Sequence, residues 1–292
     1  MSGFIKKTLL FIVPLLAYCL INGLINTFIF SKQKLVLGAS TLIVGDSHAK
    51  YGINPALFHS ARNIAQPAEP IVLTFWKLKY VIKTNKIDTL ILSFSPNTLS
   101  GLMDLKFSKK RWSHEIFRRS YFIGEFNQIE NDVEVDYFDY YTILLKNTCF
   151  YPKPNHLSFV GSFSPRYGSN LKDTIDAVER HFFFDGNATG ISETSIHYLD
   201  SIVDLAALNN ICLVLVGHPV HTNYYKNIPV MNLEAYEKTK SLLDKKGIRI
   251  IDKTTRFYPD SLFYNSDHLN NAGATIFTQQ IITELKNPAP VQ

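Results

Sequence analysis

The chain reads as an α/β domain on a mostly parallel sheet, preceded by a membrane-spanning helix and interrupted by an irregular, partly helical insertion. Three observations predict this: short apolar runs closed by turn residues, helical periodicities between those runs, and one long uncharged stretch at the N-terminus. A hydrophobic content of 46% with 13% aromatics over 292 residues is enough for one sizeable core and excludes a disordered chain. The net charge of +5 is too mild for a nucleic-acid-binding protein, which gathers its Lys and Arg into one strong patch.

The elements follow in chain order. Lys6 and Lys7 precede an uncharged run from Thr8 to Phe30, TLLFIVPLLAYCLINGLINTFIF. About 20 apolar residues span a bilayer as a helix, and flanking lysines stay cytoplasmic. Residues 1–30 are therefore expected to be a cytoplasmic N-terminus and single-pass anchor, with everything after them extracytoplasmic, in the periplasm or outside the cell. A cleaved signal peptide would have a shorter apolar core of about 7–15 residues ending in small residues, so an uncleaved anchor is expected. Pro14, Asn22 and Asn26 weaken the segment slightly, and Tyr18 before Cys19 is too bulky for the usual lipid-attachment site. Residues 31–39 read as a linker, and 40–292 as the folded domain.

Thr41–Val44 is a short apolar run stopped by Gly45-Asp46-Ser47, the pattern of a buried strand and its turn. Asn63–Ala65 reads as a second short strand, 69–84 as a helix with its apolar positions on Ile71, Leu73, Phe75, Trp76, Leu78, Val81 and Ile82, and Asp88–Phe94 as a buried strand. From about 101 to 190 the pattern is irregular and too long for an ordinary loop, so it reads as an insertion with its own short helices beside the core. A basic stretch there, Lys106 to Arg119 with Trp112 and Phe117, is expected to be a solvated face, with lipid headgroups or an acidic glycan as its other possible contacts. Regular order resumes with a helix at 192–209, a strand at Ile211–Val216, a helix at 232–246 stopped by Gly247, a strand at Ile248–Ile251 and a final helix from Asn271 to Leu285. Cys19, Cys149 and Cys212 match no zinc spacing; a Cys149–Cys212 disulfide is conceivable outside the cytoplasm, but free buried thiols are expected. Asn187-Ala188-Thr189 matches a glycosylation sequon by pattern only.

In a parallel sheet the chemistry sits in loops at the carboxyl ends of the strands, which is where Gly45-Asp46-Ser47 and Ser95-Pro96-Asn97 fall. A serine hydroxyl is a weak nucleophile and needs a base within hydrogen-bond reach. Alone, Gly-Asp-Ser is as well explained by a helix cap. A second segment changes that balance: FYNSDHLNNAGATIFT at 263–278 puts His268 on a polar turn just before the last helix.

With LIVGDSHAKYGINP at 42–55, this segment resembles the SGNH/GDSL hydrolase family, in particular membrane-anchored members with a Gly-Asp/Asn-Ser-His opening and an Asp-His-Leu-Asn closing block. The resemblance covers roughly residues 40–100 and 190–286 and implies a flavodoxin-like three-layer sandwich. It implies Ser47 as nucleophile and His268 as base. The family's aspartate stands three residues before the histidine, and here that position is Asn265. Asp267 is adjacent to His268, although neighbouring side chains on a turn tend to point apart. Asp267 taking over, a Ser–His dyad, or low activity are the consequences, in that order. The family's second block lacks its glycine here and reads Asn63-Ile64-Ala65-Gln66-Pro67, and its third supplies Asn97 as the oxyanion amide beside the Ser47 N–H. Asn63, His48 and His218 are further substrate-contact candidates, and His221 could also line the pocket.

No metal-ligand spacing and no phosphate loop appears, so no metal or cofactor is expected. The resemblance implies an extracytoplasmic esterase acting on O-acyl groups, O-acetyl in particular, of surface or exported polysaccharide. An O-acetyltransferase using the same acyl-enzyme is the first alternative. The second is a catalytically weak glycan-binding partner in an envelope polysaccharide-modification complex.

Overall fold

The computed structural model describes residues 2–287; the expected boundaries at 1 and 292 lie outside them. An apolar helix, α1 (Ser2–Lys32), leads into β1 (Thr41–Val44), α2 (Ser47–Gly52), β2 (Ala61–Asn63), α3 (Ile71–Val81) and β3 (Thr89–Ser93). The stretch expected as an insertion holds α4 (Leu102–Leu105), α5 (Lys110–Ser120), α6 (Tyr137–Thr148), α7 (Thr174–Phe182) and a small hairpin, β4 (Phe183–Phe184) with β5 (Asn187–Ala188). Then come α8 (Glu193–Leu208), β6 (Cys212–Gly217), α9 (Thr222–Lys226), α10 (Val230–Lys245), β7 (Arg249–Asp252) and α11 (Asn271–Lys286). Each expected strand and helix of the core is present, with ends shifted by at most three residues.

The main sheet runs β2-β1-β3-β6-β7 with every pair parallel. Counting only its own strands this is the order 2-1-3-4-5, the doubly wound, flavodoxin-like arrangement, whose strand order reverses between β1 and β3. The two-residue alternation of strands sorts the core into layers. Leu42, Val44, Leu90, Leu92, Leu213 and Leu215 pack with helices α3, α8 and α10. Ile43, Ile91, Val214 and Val216 point to the other face, where Ala49 of α2 and Phe277 and Ile281 of α11 cover them. Gly247 stops α10 at φ +77°, as its position implies.

Three expectations are corrected. The insertion does not lie beside the core: Phe107, Ile116, Phe117, Phe126 and Ile143 belong to the same apolar cluster as Leu42 and Trp76, so it completes one face of the sheet. Residues 31–39 are not a free linker. Leu35 is buried in that cluster, Leu37 N donates to Asn85 Oδ1 (2.8 Å), and Asn85 Nδ2 donates to Leu35 O (2.7 Å). The cysteines are free, but Cys212, the first residue of β6, is exposed and the others are half-buried.

Helix α1 is long and apolar enough to cross a membrane by length and composition, at about 46 Å for its 31 residues. Phe4, Leu10, Phe11, Leu16 and Leu20 are exposed. Its C-terminal part instead docks on the domain. Phe30 stacks on Phe122 with ring centroids 4.6 Å apart. Buried Asn26 donates to Thr148 O (2.6 Å) and Tyr151 O (2.9 Å) and accepts from Lys153 N (2.8 Å), with His156 Nε2 at 3.1 Å. Asn26, one of the asparagines that weaken α1 as a bilayer segment, thus fastens it to residues 148–156, whereas Asn22 bonds back within the helix to Tyr18 O.

Candidate active site

The loops after β1 and β3 meet at the reversal of strand order. Gly45 has φ +123°, and a Cβ there would lie 2.6 Å from Ser93 Cβ, so only glycine lets the chain turn this close to β3. Asp46 caps α2, accepting from His48 N (3.0 Å), and Ser47 is the first helical residue. The Asp46 carboxylate also accepts from Ser93 Oγ (3.0 Å) and Asn97 Nδ2 (2.9 Å), and lies 3.1 Å from His48 Nδ1. It thereby ties the turn after β1 to the loop after β3. Burial alone would raise its pKa, but the His48 charge and the hydrogen bonds from His48 and Asn97 hold it well below the usual carboxylate range.

The C-terminal segment reaches the same place. Asn270 caps α11 by accepting from Gly273 N (3.1 Å), and the turn before it closes through an antiparallel bridge between Phe263 and Leu269. His268 sits on this turn. Its ring centroid is 5.1 Å from that of His48 and 5.2 Å from that of Tyr51, so the imidazole lies against the first turn of α2 that carries Ser47. Ser47 and His268 line one cavity of about 240 Å³. His268 Nε2 is buried without a hydrogen-bond partner, so Ser47 Oγ is not bonded to it in this structure; catalytic hydrogen bonds often tighten only with substrate bound.

Asn265 and Asp267 both serve the other nitrogen. Asn265 Oδ1 lies 3.0 Å from His268 Nδ1 and accepts from His268 N at 2.9 Å. Asn265 Nδ2 donates to Asp173 Oδ2 (2.9 Å), which leaves the amide oxygen facing the ring. Asp267 does not point away as neighbouring side chains on a turn tend to: Oδ2 is 3.1 Å from Nδ1. It lies off the N–H direction, since neither of its oxygens makes a hydrogen bond, so Asn265 takes the bond and Asp267 contributes charge. Asp267 is fully buried. Burial would raise its pKa, but His268, His181 and His48 around it keep the carboxylate strongly depressed and ionised.

The other candidates divide. Asn97 lines the cavity and has one amide hydrogen on Asp46, leaving the second available. Asn63, a candidate oxyanion or substrate contact, does neither here: its amide donates to Ala49 O (2.8 Å) and Ile53 O (2.9 Å) and accepts from Ala65 N (3.0 Å), pinning the loop after β2. His48 is buried behind His268 between Asp46 and Asp267 and is not among the residues lining the cavity. Burial lowers its pKa, but the two carboxylates, Asp46 foremost, raise it overall. His218 packs on Phe277 with ring centroids 5.0 Å apart, and burial drives its pKa well below normal. His221 caps α9 and reaches Asp260 at 3.2 Å, away from the cavity. These placements follow from the strands ending where they do, which aims the side chains after β2 and β6 under α2 and α11.

Sequence reasoning singled out the Lys106–Arg119 stretch without placing it at the site, and missed Arg166, Arg180 and His181. Lys106, Arg111, Trp112, Arg166, Arg180 and His181 all line the cavity and all come from the insertion. The basic stretch is not simply a solvated face: Lys106 is buried, Arg111 and Trp112 border the cavity, and Phe117 is in the core. Half-buried His181 has its pKa pushed down to about 3 by desolvation, with Asp267 Oδ2 3.7 Å away. His48, Asp267 and His268 offer ligand atoms within 4.8 Å of one another, a proximity that spacing along the chain does not reveal. They could hold a small cation only through the outer imidazole nitrogens, because Asp46 and Asn265 already face the Nδ1 atoms.

No family model matches the chain, and no curated protein matches it. Among solved structures, similarity is found to a Bacteroides fragilis protein described as a "putative acylhydrolase", with 10% identity and TM-score 0.41 over 87% of this chain and 92% of that one. A catalytic mutant of an acetylxylan esterase from Geobacillus stearothermophilus shows 12% identity and TM-score 0.41 over 88% of this chain and 98% of that one. Similarity at that level leaves the chemistry to be read from the site itself.

Proposed function

We propose that this chain is a membrane-anchored, extracytoplasmic serine esterase of SGNH type that removes O-acyl groups, O-acetyl in particular, from cell-surface or exported polysaccharide. One observation carries the catalytic part: an imidazole from the last turn, with an amide oxygen bonded at Nδ1, a buried carboxylate beside it and Nε2 unbonded, lines the same cavity as a serine that opens a helix. The polysaccharide and the topology rest on the resemblance at 42–55 and 263–278 and on the apolar α1 with Lys6 and Lys7 before it.

Ser47 Oγ attacks the ester carbonyl while His268 Nε2 takes its proton. The oxyanion is met by the free amide hydrogen of Asn97 and by Ser47 N–H, an amide that the helix start leaves unpaired. The C–O bond to the alcohol then breaks, and His268 returns the proton to the departing oxygen, leaving an acyl-serine. Water, deprotonated by the same imidazole, releases the acid and restores Ser47. Asn265 holds the tautomer with the proton on Nδ1, and Asp267 stabilises the imidazolium. The two therefore divide the work that one aspartate does elsewhere, which favours an enzyme over a catalytically weak binding partner.

The experiment is fluorophosphonate labelling of the detergent-purified full-length chain. Wild type is expected to label, Ser47→Ala not at all, and His268→Ala at least about a hundredfold more slowly. An unlabelled wild type sinks the proposal. Transfer to a glycan hydroxyl would use the same acyl-enzyme. A groove adjoining the cavity through Arg111, Trp112 and Arg180 leaves room for such an acceptor. Incubation with an acetyl donor and a glycan separates the two, since glycan acetate falls for an esterase and rises for a transferase.

A further inference from the structure

We propose that the ester substrate is an anionic glycan, its negative groups held by Lys106, Arg111, Arg166 and Arg180 and its sugar rings laid over Trp112 and Phe184. This deepens the reading of Ser47 as nucleophile and rests on it.

The first argument is charge. Four cations border the cavity that holds Ser47, whereas its carboxylates, Asp46 and Asp267, are already committed to the imidazoles behind it. Among the described residues no carboxylate lies within ion-pair distance of Lys106, Arg111 or Arg166, and Arg180 reaches Asp173 only at 3.5 Å. Lys106 is 3% exposed. Its ammonium donates to Ala68 O (3.1 Å) and contacts Met103 Sδ (3.0 Å). A buried ammonium without a counterion is costly, and burial pushes this one down to about 8. Arg166 is braced rather than paired: its guanidinium lies 4.1 Å from the ring centroid of Tyr51 and 5.2 Å from that of Tyr264. Stacking fixes the plane and leaves the N–H edge for a planar anion. An anionic substrate supplies the missing counterion for all of these groups, and a neutral one leaves them unpaired.

The second argument is shape. Beside the catalytic cavity, and sharing Arg111, Trp112 and Arg180 with it, lies a groove of about 710 Å³, far more than an acyl group needs. Half-buried Trp112 and Phe184 form its aromatic floor, with ring centroids 5.9 Å apart and planes at 52°. Arg111 stands 5.2 Å from the Trp112 ring centroid. Aromatic faces accept the C–H face of a pyranose ring, and guanidinium groups beside them pair with carboxylate, sulfate or phosphate oxygens. Asp176, Glu179 and Asp185 also line the groove, so the anionic groups are met in the catalytic cavity, where Lys106, Arg111, Arg166 and Arg180 stand, and the groove contributes Trp112 and Phe184 as platforms for sugar rings.

The test uses the full-length Ser47→Ala chain in detergent, so that binding is read without chemistry. Isothermal titration compares oligogalacturonate, a sulfated oligosaccharide, a phosphate-bearing oligosaccharide and a neutral xylo-oligosaccharide of equal length, with anionic lipid vesicles as a further arm. At least one acidic oligosaccharide is expected to bind about tenfold or more tightly than the neutral one, and the arm that binds names the anion. Arg111→Gln and, separately, Arg166→Lys are each expected to weaken it about tenfold, the scale of one charged hydrogen bond. If Arg166→Lys fails to fold, exposed Arg111 still carries the comparison. Equal affinity for neutral and acidic chains, no oligosaccharide binding, or binding to vesicles alone overturns the proposal. Fluorophosphonate labelling of wild type tests the nucleophile independently, so failure of the groove and failure of the esterase reading are told apart.

Discussion

Asp267→Asn is the sharpest probe of the site, because it removes a charge while leaving the hydrogen bond that orients the base. The carboxylate is 3.1 Å from His268 Nδ1. With an effective dielectric of about 20, a unit charge at that distance interacts by about 5 kcal/mol, and at the far ring nitrogen by somewhat less, about 3–4 kcal/mol. An imidazolium sharing its charge between the two nitrogens is thus stabilised by about 4 kcal/mol, or about 10³ in rate. Triads in which the tautomer is lost as well fall by about 10⁴; here Asn265 Oδ1 still accepts from Nδ1 and keeps the proton there. The assay is kcat/KM for 4-nitrophenyl acetate on the full-length chain, with a thermal melt to show that the variant is folded. The drop is expected in kcat, with KM little changed. A folded Asp267→Asn protein within fivefold of wild type would refute the division of roles between Asn265 and Asp267.

Restoring an aspartate at 265 should not help. Asn265→Asp places a carboxylate 2.9 Å from Asp173 Oδ2, so it should lower Tm and activity together, and adding Asp173→Asn should recover both; an active, fully stable single variant would contradict this. Gly45→Ala puts a Cβ 2.6 Å from Ser93 Cβ at φ +123° and should cost about 2–4 kcal/mol in denaturant unfolding; an unchanged midpoint would show that the turn has room. Asn26→Ala strips Thr148 O, Tyr151 O and Lys153 N of their partner and should cost about 2–4 kcal/mol, read as faster proteolysis between residues 148 and 156, whereas equal cleavage rates would mean that α1 does not brace that segment. Stability should peak near pH 6.5, because burial lowers the pKa values of His181 and His218 below the ordinary 6.5, so the unfolded chain takes up their protons first and stability declines as pH falls below it. Asp46 and Asp267 fall below their ordinary 3.8, so their contribution is present above that pH and is lost as pH falls through the depressed values. His48 rises above its ordinary 6.5, so its contribution is complete below 6.5 and is lost as pH climbs through the raised value. Thermal melts from pH 3 to 9 check this, and His48→Gln should flatten the alkaline side; a steep alkaline fall retained in that variant would place its origin elsewhere.

What the sequence by itself determined is local and periodic. The buried runs TLIV at 41–44 and CLVLVG at 212–217, the helical spacing from Ile71 to Val81 and the glycine that ends α10 each depend on neighbours a few residues away, so elements and their order could be read directly. The parallel sheet followed from that alternation, and with it the placing of Ser47 and Asn97 at one edge. What only the tertiary structure decided is every relation between distant segments. That Asn265 accepts from His268 while Asp267 supplies charge depends on how one turn lies against α2, which two adjacent polar letters cannot express. That Asn63 and His218 are turned away from the cavity depends on which side of the sheet their strands end. The cationic walls were the least legible. Lys106, Arg166 and Arg180 lie 59 to 133 residues from Ser47 along the chain, in a stretch without periodicity. Side chains converge there because the insertion's apolar residues are drawn into the core beside Trp76, and that packing carries its basic residues over the carboxyl ends of the strands.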